Sequence, residues 1–204
     1  MIGRRNFVGP YADTSNYYFE AAFLYSKDHS WPVIENLPLR TVHSWLSSVR
    51  AELSMVPSTR MESVIFALLH ISQAGASPTA VTWLFYALET FYDTKTGENF
   101  RSMVERIRIF LSPDDKQLQN LRKKLRLLYD IRSAFIHGGL RVIHPLNNEI
   151  LDKSIEEEYS RLSDAIDFGF CLILSSIQEI IKRGWIEPEF REIVVGKPTG
   201  YALA

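Results

Sequence analysis

The chain has 204 residues, 46% of them apolar and 23% charged, and its formal net charge is −1. That balance is ordinary for a globular protein with one sizeable core, and it excludes a disordered chain and a uniformly basic nucleic-acid binder. Cys171 is the single cysteine, which excludes an internal disulfide and any cysteine-based zinc site.

Helical periodicity dominates and strand alternation is hard to find, so an all-α fold is expected. Residues 1–10 read as an irregular lead. A first helix covers about 14–27, and Trp31-Pro32 and Leu37-Pro38 interrupt the stretch after it. A second runs near 39–54 and stops before Pro57. Thr59-Arg60-Met61-Glu62 opens the third as a capping box, in which the Thr hydroxyl and the Glu carboxylate satisfy orphan amides. That helix ends near Gly75. Ser77-Pro78 opens the fourth, with Ser as N-cap and Pro at the first helical position. It continues from Ala80 to Tyr92, apolar on most sides, and belongs at the centre of the core.

A fifth helix spans about 98–111. Ser112-Pro113-Asp114-Asp115 starts a long sixth, with acids where the helix dipole favours them. It runs to His137 and stops at Gly138-Gly139. After a loop at 138–151, the last helix begins near Asp152 and ends at Lys182-Arg183-Gly184. Residues 185–204, with Pro188 and Pro198, read as an irregular tail lying on the surface. Residues 1–76 are thus an N-terminal helical segment packed on a helical core at 77–184, followed by the C-terminal tail.

Phe168 to Leu174 is the longest apolar stretch and is far too short to span a bilayer. Cys171 within it reads as a buried small hydrophobe. Arg4 and Arg5 are not followed by a continuous apolar run, so no targeting signal is visible. The expectation is a soluble protein of the cytoplasm, a reducing compartment, with no membrane contact.

Charge is unevenly spread. From Arg101 to Arg141 there are ten Lys/Arg against four Asp/Glu, a local balance of +6 that leaves −7 for the rest. Such a sector suits an anionic ligand, although a solvated helix face explains it without one.

On a helical wheel, Leu118, Leu121, Leu125, Leu128 and Phe135 form one stripe of the sixth helix, and Arg132 falls inside it. A charge there needs a partner or an exit to water. Arg122, Arg126, Tyr129, Ser133 and His137 form the neighbouring stripe. Ser133, four residues before His137, is placed to orient its ring, and Asp130 is placed to pair with Arg126. Glu89 either fastens the fourth helix to the sixth through Arg132 or shares a solvent face with Thr82 and Tyr86. By spacing alone, His137 is a helix C-cap and Tyr129 is core packing. Arg122, Lys123 and Arg126 can track an RNA backbone or simply line a solvated face. His29, His43, His70 and His144 have no metal-spaced companions, so no metal or cofactor is expected. Trp45, Trp83, Tyr86 and Tyr92 are assigned to the core rather than to base stacking. No phosphate-binding glycine loop, Gly-x-Ser-x-Gly or His-Glu-x-x-His occurs.

The run Leu127-Leu128-Tyr129-Asp130-Ile131-Arg132-Ser133-Ala134-Phe135-Ile136-His137-Gly138-Gly139 resembles the signature of HEPN domains. It is most similar to the Apea-like branch, where Tyr-x-x-Arg-Ser-x-x-x-His-Gly ends a core helix. Phe85-Tyr86-Ala87-Leu88-Glu89-Thr90-Phe91 resembles that branch's apolar-Ala-Leu-Glu helix. The resemblance covers about 77–183 in helix order, and 85–91 and 127–139 in residues.

It implies an antiparallel helical bundle that pairs with a second copy. It also implies a metal-independent endoribonuclease of the kind found in toxin–antitoxin, antiphage-defence and RNA-processing systems, with RNA, and an antitoxin or other protein, as partners. His137 would move a proton at the ribose 2′-hydroxyl or the leaving oxygen, and Arg132 would hold the scissile phosphate, with Ser133, Tyr129, Glu89 and Asp130 in support. The residue types suit that chemistry. RNA carries its own nucleophile, imidazole transfers protons near neutral pH, and guanidinium grips phosphate with two parallel bonds. Several active HEPN nucleases carry Asn, Asp or His directly after the Arg, where this chain has Ser133. The alternative expectation is therefore a non-catalytic HEPN module for RNA or protein binding and dimerisation.

Overall fold

A computed structural model describes residues 17–49, 56–73, 77–94, 99–140 and 153–191. Within these residues the fold is an all-α helical bundle with no strand. Its elements are α1 (Tyr17–Asp28), α2 (Leu39–Val49), α3 (Arg60–Gln73), α4 (Pro78–Phe91), α5 (Asn99–Leu111), α6 (Asp115–Ile136) and α7 (Lys153–Arg183). The expected lead, the outer ends of the first three expected helices, Arg141, His144 and the tail beyond Arg191 lie outside the described residues. No helix among those described is long and apolar enough to cross a membrane.

Local chemistry sets the helix ends. At α3 the Glu62 amide donates to Thr59 Oγ1 at 3.1 Å, and the Thr59 amide donates to Glu62 Oε2 at 3.2 Å. This is the reciprocal box expected from the sequence. Glu62 does more than the pattern foretells: the same oxygen accepts from the Ser58 hydroxyl at 2.8 Å and from the Ser58 amide, and the residue is only 3% exposed. Glu62→Ala removes the shared acceptor of this cap and should cost about 0.5–2 kcal/mol, read as a lower urea midpoint with an unchanged slope.

A second box opens α6, where Gln117 N donates to Asp114 Oδ1 at 2.8 Å and Asp114 N to Gln117 Oε1 at 2.9 Å. At α4 the sequence expectation holds only in part. Ser77 has the extended N-cap backbone and Pro78 follows it, but the Ser77 hydroxyl makes no cap hydrogen bond. Its carbonyl accepts from Ala80 N instead.

The core is built around α4. Ala80, Val81, Leu84, Phe85, Ala87, Leu88 and Phe91 are all at most 1% exposed. The helix packs most extensively on α3 and also meets α5, α6 and α7. Gly169 lets α4, α6 and α7 converge, because a Cβ there would lie 2.6 Å from Leu84 Cδ2 and 2.9 Å from Leu128 Cδ1. Cys171 is fully buried, and burial pushes its thiol up to about 12, which makes it a structural residue rather than a nucleophile.

α1 packs along α7, with Tyr18 against Phe170 (5.8 Å between ring centroids) and Tyr25 against Phe168 (6.1 Å). Polar atoms are shut into this seam. The Tyr18 and Tyr25 hydroxyls and Asp167 Oδ1 are buried without a hydrogen-bond partner among the described residues. Burial raises the Asp167 carboxyl above its ordinary 3.8; a Ser163 hydrogen bond opposes the shift and nearby Asp164 adds to it. The native chain thus holds this proton more tightly than the unfolded chain. Its contribution to stability therefore falls as pH rises through the window above 3.8. Asp167→Asn should raise the melting temperature at neutral pH, and calorimetry should show the gain shrinking as pH is lowered toward that value.

The segment after α7 is held to the bundle at several points. Trp185 O accepts from Trp45 Nε1 at 2.9 Å and Pro188 O from Arg60 Nη2 at 2.9 Å. Phe190 packs on Tyr92 and Phe110. Pro188 is buried and Phe190 half-buried, while the residues around them are exposed, so the stretch to Arg191 lies on the surface as expected but is seated on the bundle at these points. The sparse apolar residues hid this, because one proline and one phenylalanine suffice to seat it.

Candidate functional site

The end of α6 carries the candidate residues. Leu121, Leu125, Leu128 and Ile131 form its buried stripe, with Leu118 packed beside them. The stripe thus runs to Ile131 rather than to Phe135, which is only partly buried. α6 ends in a reversed turn in which Gly139 N donates to Ala134 O (2.7 Å) and Gly138 N to Phe135 O (3.4 Å). Gly138 sits at φ +72°, the left-handed region that such a turn demands. His137 is the C-cap residue and is exposed.

Arg132 meets both requirements set by its position. Its guanidinium crosses the face of Phe85, 5.1 Å from the ring centroid, and reaches Glu89, with Nη2 3.7 Å from Oε2. The side chains of Arg132 and Glu89 are 28% and 18% exposed, so the pair sits at the rim of the core. At 3.7 Å it is an ion pair without a true hydrogen bond. Arg132 Nε is buried and has no partner among the described residues. Of the two placements open to Glu89, the one that fastens α4 to α6 is realised. Phe85 is the residue that sequence reasoning passed over. Its signal was its position four residues before Glu89, which puts both on one face of α4.

Tyr129 packs edge-on against Phe85 (5.9 Å) and Phe100 (6.4 Å), as its spacing suggested. Two expected local contacts do not form. Asp130 is exposed and makes no ion pair with Arg126, whose guanidinium lies 4.2 Å from the Phe100 centroid and 5.7 Å from that of Tyr129. An aromatic face on α5 competes better for Arg126 than a solvated carboxylate. Ser133 is joined to His137 only through the backbone, His137 N to Ser133 O at 3.0 Å, and no side-chain bond among the described residues orients the ring.

Part of the basic sector is paired within the molecule. Glu105 takes Arg108 at 2.8 Å and Arg122 at 3.9 Å, Lys124 pairs with Asp164, and Arg106 reaches Asp93 at 3.9 Å. Lys123 is exposed and has no ion-pair partner among the described residues. Of the histidines outside the motif, His29 stacks on Tyr25 (4.0 Å) and His70 on Trp83 (4.4 Å), whereas His43 is exposed. The core assignment holds for Trp45, Tyr92 and, in part, Trp83. Tyr86 departs from it, being 43% exposed.

Comparison with protein-family models, with curated proteins and with solved structures returns no match. The functional reading therefore rests on the motif and on this geometry.

Proposed function

We propose that this chain is a HEPN-type, metal-independent endoribonuclease in which Arg132 and His137 of two copies act on RNA across a shared cleft. One observation carries the reading. Arg132 is tethered by a single long ion pair at the rim of the core, makes no hydrogen bond among the described residues, and lies five positions before an exposed histidine at the same helix end. The two positions are separated by five residues, about 7.5 Å along the helix axis. A guanidinium held in place with only its terminal nitrogens open is suited to receive phosphate oxygens there, because binding then costs little ordering. His137, open to water at the helix end, can exchange its proton with solvent between turnovers. In the reaction it takes the proton of the 2′-hydroxyl or gives one to the departing 5′-oxygen. Arg132 meets the charge that builds on the phosphate.

Ser133 and the internal pairing of Arg122 and Lys124 favour a second reading, a HEPN module that binds RNA or protein without cleaving. The deciding experiment incubates the purified chain with end-labelled single-stranded and structured RNAs, with and without EDTA, beside His137→Ala. Cleavage that survives EDTA and vanishes in the variant supports the nuclease. Absent cleavage, or equal cleavage by the variant, leaves the binding module.

A further inference from the structure

Tyr86 stands out on α4. The helix buries its other large apolar side chains fully or, for Trp83, in part, yet this ring is 43% exposed. It is held rather than loose: Trp83 meets it edge-on at 6.0 Å and 84°, and His70 from α3 stacks on Trp83 at 4.4 Å and 9°. Tyr86 also precedes Glu89 by three residues, so it shares a helix face with the carboxylate that tethers Arg132. The rise between them is about 4.5 Å. Along one edge of α4 the surface therefore offers an indole, then an exposed phenol ring, then the tethered guanidinium.

We propose that Tyr86, braced by Trp83 and His70, is a stacking platform for an unpaired base of single-stranded RNA, placed next to the phosphate-holding Arg132. The inference rests on the RNA reading above and adds the substrate class. Every base has a π-face and stacks on a presented aromatic ring, whereas bases in a duplex are already stacked on each other. A platform one turn from Glu89, the carboxylate that Arg132 reaches, selects an RNA whose base swings out near the phosphate that Arg132 grips. Strand selection then comes from α4, and the chemistry from α6.

The test measures fluorescence anisotropy with a labelled oligouridine and with a duplex RNA of equal length, all proteins carrying His137→Ala so that no RNA is cut. Tyr86→Ala should weaken oligouridine binding by roughly 5- to 150-fold, the range for loss of one stacked base. Tyr86→Phe, which keeps the ring, should bind like the parent, and duplex binding should be the same for all three. An oligouridine with abasic sites should bind the parent and Tyr86→Ala equally. If Tyr86→Ala binds oligouridine as tightly as the parent, the platform is wrong and the RNA reading stands. If the parent binds neither RNA, the RNA reading falls and the platform falls with it. Sedimentation of the same proteins covers the remaining occupant: a dimer that Tyr86→Ala splits into monomers would make this face a contact between copies and overturn the proposal.

Discussion

Under the proposed nuclease reading, His137→Ala should lower RNA cleavage by about 10²- to 10⁴-fold, the usual contribution of a positioned proton-transfer group, and leave the melting temperature nearly unchanged. The second half of that expectation comes from the structure. His137 is exposed, and the bonds that end α6 use its backbone amide and those of Gly138 and Gly139, none of which needs the imidazole. Exposed substitutions of this kind stay within about 0.5 kcal/mol. Arg132 is a less clean target, because Arg132→Ala also uncovers Phe85 and removes the partner that Glu89 has on α6. Arg132→Lys separates the roles. It keeps a cation for Glu89 but loses the planar fork that matches a phosphate, so folding should persist while cleavage falls. Single-turnover kinetics beside thermal melts would check both. A His137→Ala chain that cuts at the parental rate would remove histidine proton transfer from the mechanism.

Phe85→Ala should be the most destabilising of the substitutions considered, at about 3–5 kcal/mol, or roughly 6–20 °C in melting temperature. Phe85 is fully buried on the central helix, and its ring is shared by two features of the site. Tyr129 packs against it edge-on at 5.9 Å, and the Arg132 guanidinium lies over it at 5.1 Å. Its removal opens a cavity beneath Tyr129 and the Arg132 guanidinium. The neighbouring Tyr86→Ala, on the exposed side of the same helix, should change the melting temperature little. Differential scanning calorimetry of the two variants side by side reads the contrast. Equal losses would mean that these two faces of α4 do not divide into core and surface.

The sequence by itself determined what short-range chemistry decides. The helix order and most helix ends follow from periodicity, from the Thr59/Glu62 box and from the glycine after His137, because each depends on residues a few positions apart. The candidate pair Arg132 and His137 was legible for the same reason, being two positions on one helix end. The tertiary structure decided who meets whom. A helical wheel tells which residues share a face, but not which neighbour covers it. Arg126 leaves Asp130 because α5 brings Phe100 to it, and the ring exchanges a solvated ion pair for a less hydrated contact. Arg132 finds Glu89 because Gly169 allows α4 and α6 to meet at α7. Tyr86, chemically as fit for the core as Phe85, is left at the surface because the two adjacent positions point about 100° apart and the bundle packs only one of those directions.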